Sequence, residues 1–190
     1  MSIKRERPIL FSTLMVQAIL GDRKTMTRRI VKGTALEWLE KDGFSPSFVA
    51  DPENRLSPYT VGDILWVRET WNGDWCDHVI YKADGGSAKE AGYTKEPKWK
   101  PSIFMPRKAA RLFLRVTSIR AERLQDITEA DCYAEGIIKV PLGENMEWAE
   151  GGWAIEKFAH LWDSLNAKRG YGWDTNPWVW VITFQKEDAL

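Results

Sequence analysis

The sequence is sparing with the residues that most often announce chemistry. Across 190 residues it has two cysteines, Cys76 and Cys132, and two histidines, His78 and His160. The cysteines stand far apart and make neither a CxxC pair nor a disulfide framework, the usage expected of a protein kept in a reducing cytoplasm. The run "DWCDH" (74–78) gathers Asp74, Cys76, Asp77 and His78, but its spacing matches no standard zinc pattern and His160 falls on a predicted helix. Neither a metal nor another cofactor is therefore expected. No apolar run approaches the roughly 20 residues that a membrane helix needs, and no leader pattern is visible, so the reading is a cytoplasmic protein with no membrane partner. Net charge is missing too, because 27 Lys and Arg cancel 27 Asp and Glu. No overall positive field draws the chain onto nucleic acid, and any basic site must be local.

Tryptophan is the residue in excess, with eleven copies. Some bury and others form aromatic surfaces. The length fits a single domain over 1–190 and suffices for a sizeable core. "RPILF" (7–11) reads as a strand, and Ser12 or Thr13 caps a helix through Leu20 with Met15, Ala18 and Ile19 inward, stopped by Gly21. "KTMTRRIV" (24–31) is rich in β-branched residues and reads as the next strand. Residues 32–60 are punctuated by Gly33, Gly43, Pro46, Pro52 and Pro58 and read as a long excursion with one short helix around Trp38. "VGDILWVRETW" (61–71) is a core strand with a polar exit at Arg68 and Glu69. A loop with a short strand at "HVIYKA" follows, and 98–119 ends in an alternation of Leu112, Leu114 and Val116 against Arg111, Phe113 and Arg115. "DITEADCYAEG" (126–136) gives a helix capped by Thr128 and stopped by Gly136. "WAIEKFAHLWDSLN" is an amphipathic helix with Phe158, Leu161, Trp162 and Leu165 at helical spacing, and "PWVWVITF" (177–184) closes the chain as a strand. With no regular βαβ alternation, the expected class is α+β: a small, mostly antiparallel β-barrel flanked by helices, with insertions around 32–60, 72–98 and 139–152.

The order of these motifs resembles the ASCH family of PUA-like barrels. The likeness is greater to the larger ASCH-containing proteins of phages and prophages, in which "RPILFS", "RKTMTRR", "GDILWVRETW", "WKPSIFMPR" and "NPWVWVITF" recur in this order. Some small ASCH members are amidohydrolases that release the acetyl group of N4-acetylcytidine, using a lysine and a threonine of the basic turn and a glutamate of the later helix. By motif position the resemblance assigns those roles to Lys24, Thr27 and Glu135. The family's usual glycine two residues before the lysine is Asp22 here, a residue type that tolerates a left-handed turn.

Amide hydrolysis needs an activated nucleophile, a holder for the oxyanion and an acid for the leaving amine. Arg23, Arg28 and Arg29 around Lys24 disfavour its ammonium, and partial burial disfavours it further. The neutral amine then deprotonates Thr27 or attacks for itself. Glu135 sits at a helix C-terminus, where the macrodipole disfavours a carboxylate, which suits a proton donor. Arg29 orients a base carbonyl, a phosphate or the oxyanion, with Arg28 as a second substrate contact. Arg68 and Glu69 either line the same mouth or fix a loop. Lys98, Trp99, Lys100, Arg107 and Lys108, followed by Arg111, interleave cations with an aromatic ring, as a single-stranded nucleic-acid site or an ordinary solvated face would. Trp162, Trp178 and Trp180 fit the core, while Trp66 and Trp71 stay open.

Three readings follow. The chain is an amidohydrolase acting on an N4-acylated cytidine, an RNA-binding, modified-base-reading or RNA-cleaving module, or a non-catalytic phage interaction protein. The presence of all three residue types favours the first, and the zero net charge counts mildly against gripping long nucleic acid.

Overall fold

The computed structural model describes residues 5–41, 43–73, 79–85, 98–138 and 152–187. The "DWCDH" run, most of 86–98 and nearly all of 139–152 lie outside the described residues. The strands among the described residues are β1 (Glu6–Leu10), β2 (Met26–Ile30), β3 (Ile64–Arg68), β4 (Trp71–Gly73), β5 (Val79–Tyr81), β6 (Phe113–Arg123) and β7 (Trp178–Glu187). The α-helices among the described residues are α1 (Thr13–Leu20), α2 (Thr34–Glu40), α3 (Pro46–Ala50), α4 (Glu129–Ala134) and α5 (Trp153–Asn166). The sheet order is β1-β3-β6-β7-β2, with a separate β4-β5 ribbon. Pairing is antiparallel for β3–β6, β2–β7 and β4–β5 and parallel for β1–β3. The class is thus α+β with a mostly antiparallel sheet. No helix among the described residues is long and apolar enough to cross a membrane.

The chain divides into two compact units. The first comprises Met1–Asp22, Gly62–Arg115 and Gln185–Leu190. Its β3 places Ile64, Leu65 and Val67 in the core, and Leu112, Phe113 and Leu114 are all buried beside them at the entry to β6. Ser12 caps α1, its hydroxyl accepting from the Met15 amide at 3.4 Å. The inward face of α1 carries Val16, Ala18 and Ile19, while Met15, one step round the helix, is only half-buried. The Asp22 amide closes the helix on the Ile19 carbonyl, and Asp22 takes φ +54°, the left-handed turn that aspartate tolerates.

The second unit comprises Arg23–Val61 and Val116–Phe184. Val179, Trp180, Val181 and Ile182 are all buried, so this part of β7 is covered on both faces, as its unbroken apolar run requires. Phe158 and Trp162 of α5 pack on Val179, Val181, Met26, Leu124 and Ile127. Each such fully buried side chain stabilises by about 1.5–3 kcal/mol. The buried stripe of α5 steps by four residues through Ala154, Phe158, Trp162 and Asn166. Leu165, expected inward, lies off that stripe and is exposed, while the Asn166 amide turns back onto the Trp162 carbonyl. Residues 32–60 hold two helices, and Trp38 of the first packs on Phe44 and Phe48.

Candidate active site on strand β2 and the end of helix α4

Lys24 is held by backbone before its side chain makes any contact. The next residue, Thr25, gives its amide to the Ala134 carbonyl and takes the Phe184 amide, tying this stretch between the end of α4 and β7. Helix α4 starts at Thr128, whose hydroxyl caps the Asp131 amide, and ends where the Gly136 amide meets the Tyr133 carbonyl and the Ile137 amide meets the Cys132 carbonyl. This paired closure needs a left-handed residue, supplied by Gly136 at φ +99°. It leaves Glu135 at the C-cap.

Lys24 fills the space so created. Its Nζ donates to Glu135 Oε2 at 2.6 Å, to the Glu135 carbonyl at 2.9 Å and to the Met26 carbonyl at 2.8 Å. Three acceptors match the three protons of an ammonium, whereas a neutral amine has only two to give. A cation here also meets the negative end of a helix and a carbonyl left open by the helix terminus. Lys24 is 2 % exposed and Glu135 6 %. Burial pushes the Lys24 pKa below its ordinary value, the Glu135 carboxylate opposes that, and Arg29 and Arg28 push it further down. Desolvation therefore outweighs the neighbouring cations that sequence reasoning put first, and Arg23 is exposed.

Arg28 points into the same cluster. Its Nη1 donates to Glu135 Oε1 at 3.3 Å, and its Nη2 to Glu122 Oε1 at 2.6 Å and Asp131 Oδ2 at 2.7 Å. Arg120 bridges those two carboxylates, on Glu122 Oε2 at 2.7 Å and Asp131 Oδ2 at 2.9 Å. Lys24, Arg28 and Arg120 thus neutralise Glu122, Asp131 and Glu135. The sequence reading missed Arg120, Glu122 and Asp131. Asp131 and Glu135, four apart on one helix face, repel unless a cation lies between them, and that spacing was the available signal.

Thr27 and Arg29 alternate with Met26 and Arg28 along β2. Thr27 is buried, and its Oγ1 accepts from Arg29 Nη1 at 2.7 Å. Arg29 also donates to the Arg28 carbonyl at 2.9 Å. Lys24, Arg28 and Glu135 are in direct contact, and Thr27 and Arg29 in a second contact on the same strand.

The other candidates belong to the first unit or to the 98–111 stretch within it. Arg68 donates to the Ile103 and Met105 carbonyls and fixes that turn. Glu69, 1 % exposed, takes a bidentate pair from Arg111 at 2.9 and 3.1 Å, and Arg111 also meets Asp84 Oδ1 at 2.7 Å. Burial raises the Glu69 pKa, and Arg111 opposes it. Lys100 donates to the Gly73 carbonyl and sits over the Trp71 ring, while Arg107 pairs with Glu6 and covers Phe113. Lys98 is exposed and Trp99 half-buried. Much of the positive charge in this stretch is spent inside the unit.

No protein-family model and no curated protein sequence matches the chain. Among solved structures, it is similar to the ASCH domain from Lactobacillus crispatus JV V101, at 13% identity and a TM-score of 0.44, over 96% of this chain and 79% of that one. It is also similar to protein EF3133 from Enterococcus faecalis V583, described under the family model DUF984, at 10% identity and a TM-score of 0.45, over 99% of this chain and 78% of that one.

Proposed function

We propose that the protein is an ASCH-type amidohydrolase that removes an N4-acyl group from a modified cytidine, with Lys24, Thr27 and Glu135 as its working residues. The observation that carries this reading is the buried 2.6 Å contact between Lys24 Nζ and Glu135 Oε2. Two residues 111 positions apart, chosen by motif alone, make the short hydrogen bond along which a proton can pass. The motif order of the sequence supports the same family.

Burial lowers the Lys24 pKa, which eases the passage of its proton to Glu135 along the existing hydrogen bond. Thr27 Oγ1 accepts from Arg29, which sets a guanidinium beside the developing alkoxide, and in this reading the Thr27 proton passes to the neutral Lys24 amine. Oγ1 attacks the acyl carbon, Arg29 holds the oxyanion, and the Glu135 acid protonates N4 as the carbon–nitrogen bond breaks, releasing cytidine. Lys24 then passes the threonine proton to the Glu135 carboxylate, deprotonates a water that cleaves the acyl-threonine ester, and Glu135 returns its proton to the departing Thr27 oxygen, which restores the site.

The nucleic-acid reading has weaker support, because Arg107 and Arg111 are neutralised by Glu6, Glu69 and Asp84. The test is cytidine release from N4-acetylcytidine and bulkier N4-acyl analogues by wild type and Lys24→Ala. Release by wild type and its loss in the variant supports the hydrolase. No release by wild type from any analogue overturns it in favour of base or RNA binding.

A further inference from the structure

The proposed chemistry uses one carboxylate, yet Glu135 sits in a lattice with two more that the reaction does not touch. Arg28 is 3 % exposed. Its guanidinium meets Glu135, Glu122 and Asp131, and its face lies 5.8 Å from the Phe158 ring of α5. Nε, Nη1 and Nη2 of Arg28 all donate to protein carboxylates, which commits its fork to the protein and not to a substrate. We infer that Arg28 is a positioning residue: it fixes the Glu135 carboxylate toward Lys24, while Glu122, Asp131 and Arg120 brace it and set the potential in which Lys24 and Glu135 exchange their proton. The inference rests on the hydrolase reading for its purpose, but the brace is measurable without catalysis.

Glu135 has two carboxylate oxygens, and each is assigned: Oε2 to Lys24 and Oε1 to Arg28. With both ends held, the carboxylate cannot rotate away from Lys24. Arg28 can hold Oε1 only if its own fork is fixed, and Glu122 and Asp131 fix it at 2.6 and 2.7 Å. Those two acids repel each other, and Arg120 joins them from the outside, where it is 42 % exposed.

Charge gives the second half. A bare Arg28 cation beside Glu135 stabilises the carboxylate and repels the Lys24 ammonium. Two carboxylates on Arg28 offset that field, and Arg120 in turn offsets theirs. The charged and titratable groups around the pair are Arg28 and Arg29 from β2, Asp131 and Cys132 from α4, Glu122 and Arg120 from β6, and Tyr59 beside Arg29. Removing one outer charge therefore moves the pair in a direction set by its sign. Glu122→Gln makes the surroundings more positive and favours the neutral amine of Lys24. Arg120→Gln does the reverse.

The experiment follows the side-chain NMR signal of Lys24, in the full chain labelled with carbon-13 and nitrogen-15 lysine, as pH is raised. The expected result is a lower midpoint in Glu122→Gln and a higher one in Arg120→Gln, each by about half a pH unit or more. Midpoints that stay put, or move in the same direction, overturn the inference, because packing damage carries no sign. If Arg120→Gln does not fold, the Glu122→Gln arm decides alone: a downward shift supports the brace and an unchanged midpoint overturns it. Opposed shifts in a protein that releases no cytidine keep the brace and sink the hydrolase. Where cytidine is released, the rising limb of kcat/KM with pH must move with the NMR midpoints, and a limb that ignores them overturns the positioning role.

Discussion

Lys24 meets Glu135 twice, through the carboxylate at 2.6 Å and the main-chain carbonyl at 2.9 Å. One cation thus satisfies a buried carboxylate and an open carbonyl at the end of α4. Such a pair gains little over a well-packed apolar replacement, because both charges lose their water, but breaking it from one side is costly.

That asymmetry is measurable by urea unfolding. Glu135→Ala strands a buried ammonium and is expected to cost about 3–5 kcal/mol. Lys24→Met leaves Glu135 still paired with Arg28 and fills the space, so it is expected to cost less. The opposite order contradicts the description of the site.

Cys132 is a second probe of the same interior. It is fully buried, and burial pushes its thiol from an ordinary 9.0 up to about 12. A raised pKa means that the native state keeps a proton the unfolded state gives up. Its contribution to stability is complete below pH 9 and is lost as pH rises through about 12. In a Cys76→Ser background, Cys132 is expected to react with a thiol reagent at pH 8 only after denaturant is added, and Cys132→Ala is expected to flatten the alkaline loss of stability. Rapid labelling of the folded protein contradicts the burial.

In the first unit, Arg111 and Arg107 offer a contrast between a buried and an exposed partner. Arg111 pairs with Glu69 at 1 % exposure of the carboxylate side chain and lies 3.8 Å from the Tyr81 ring, whereas Arg107 and Glu6 are 40 % and 44 % exposed. Arg111→Ala is expected to cost about 3–5 kcal/mol and Arg107→Ala about 0.2–1 kcal/mol in thermal or denaturant unfolding. Equal losses contradict the assignment of Glu69 to the interior.

The parts of the fold legible in the sequence are those with a local cause. Ser12 and Thr128 announce helix starts because a hydroxyl three residues before an amide is a complete motif in itself. Gly136 announces a stop because its left-handed backbone disfavours other residues. Asp22 in the left-handed region follows the same logic. The α5 stripe was half legible: Phe158 and Trp162 are inward, but Leu165 and Asn166 exchange roles because hydrophobicity alone does not say where a helix face meets its neighbours. The ionic lattice was illegible for a different reason. Arg28 meets Glu122 and Asp131 across 94 and 103 residues, and nothing local distinguishes it from Arg29, which turns to Thr27. Residue type makes both of them substrate contacts, and strand alternation puts them on opposite faces without saying which face meets the acids.

The most direct test of the account replaces Glu135 with glutamine, which keeps the shape at the end of α4 and removes the group that shuttles the proton. With N4-acetylcytidine as substrate, the account predicts that Glu135→Gln folds and loses about 100-fold or more in kcat/KM relative to wild type. A folded Glu135→Gln that retains wild-type turnover contradicts it, and leaves the Lys24–Glu135 contact a structural clasp.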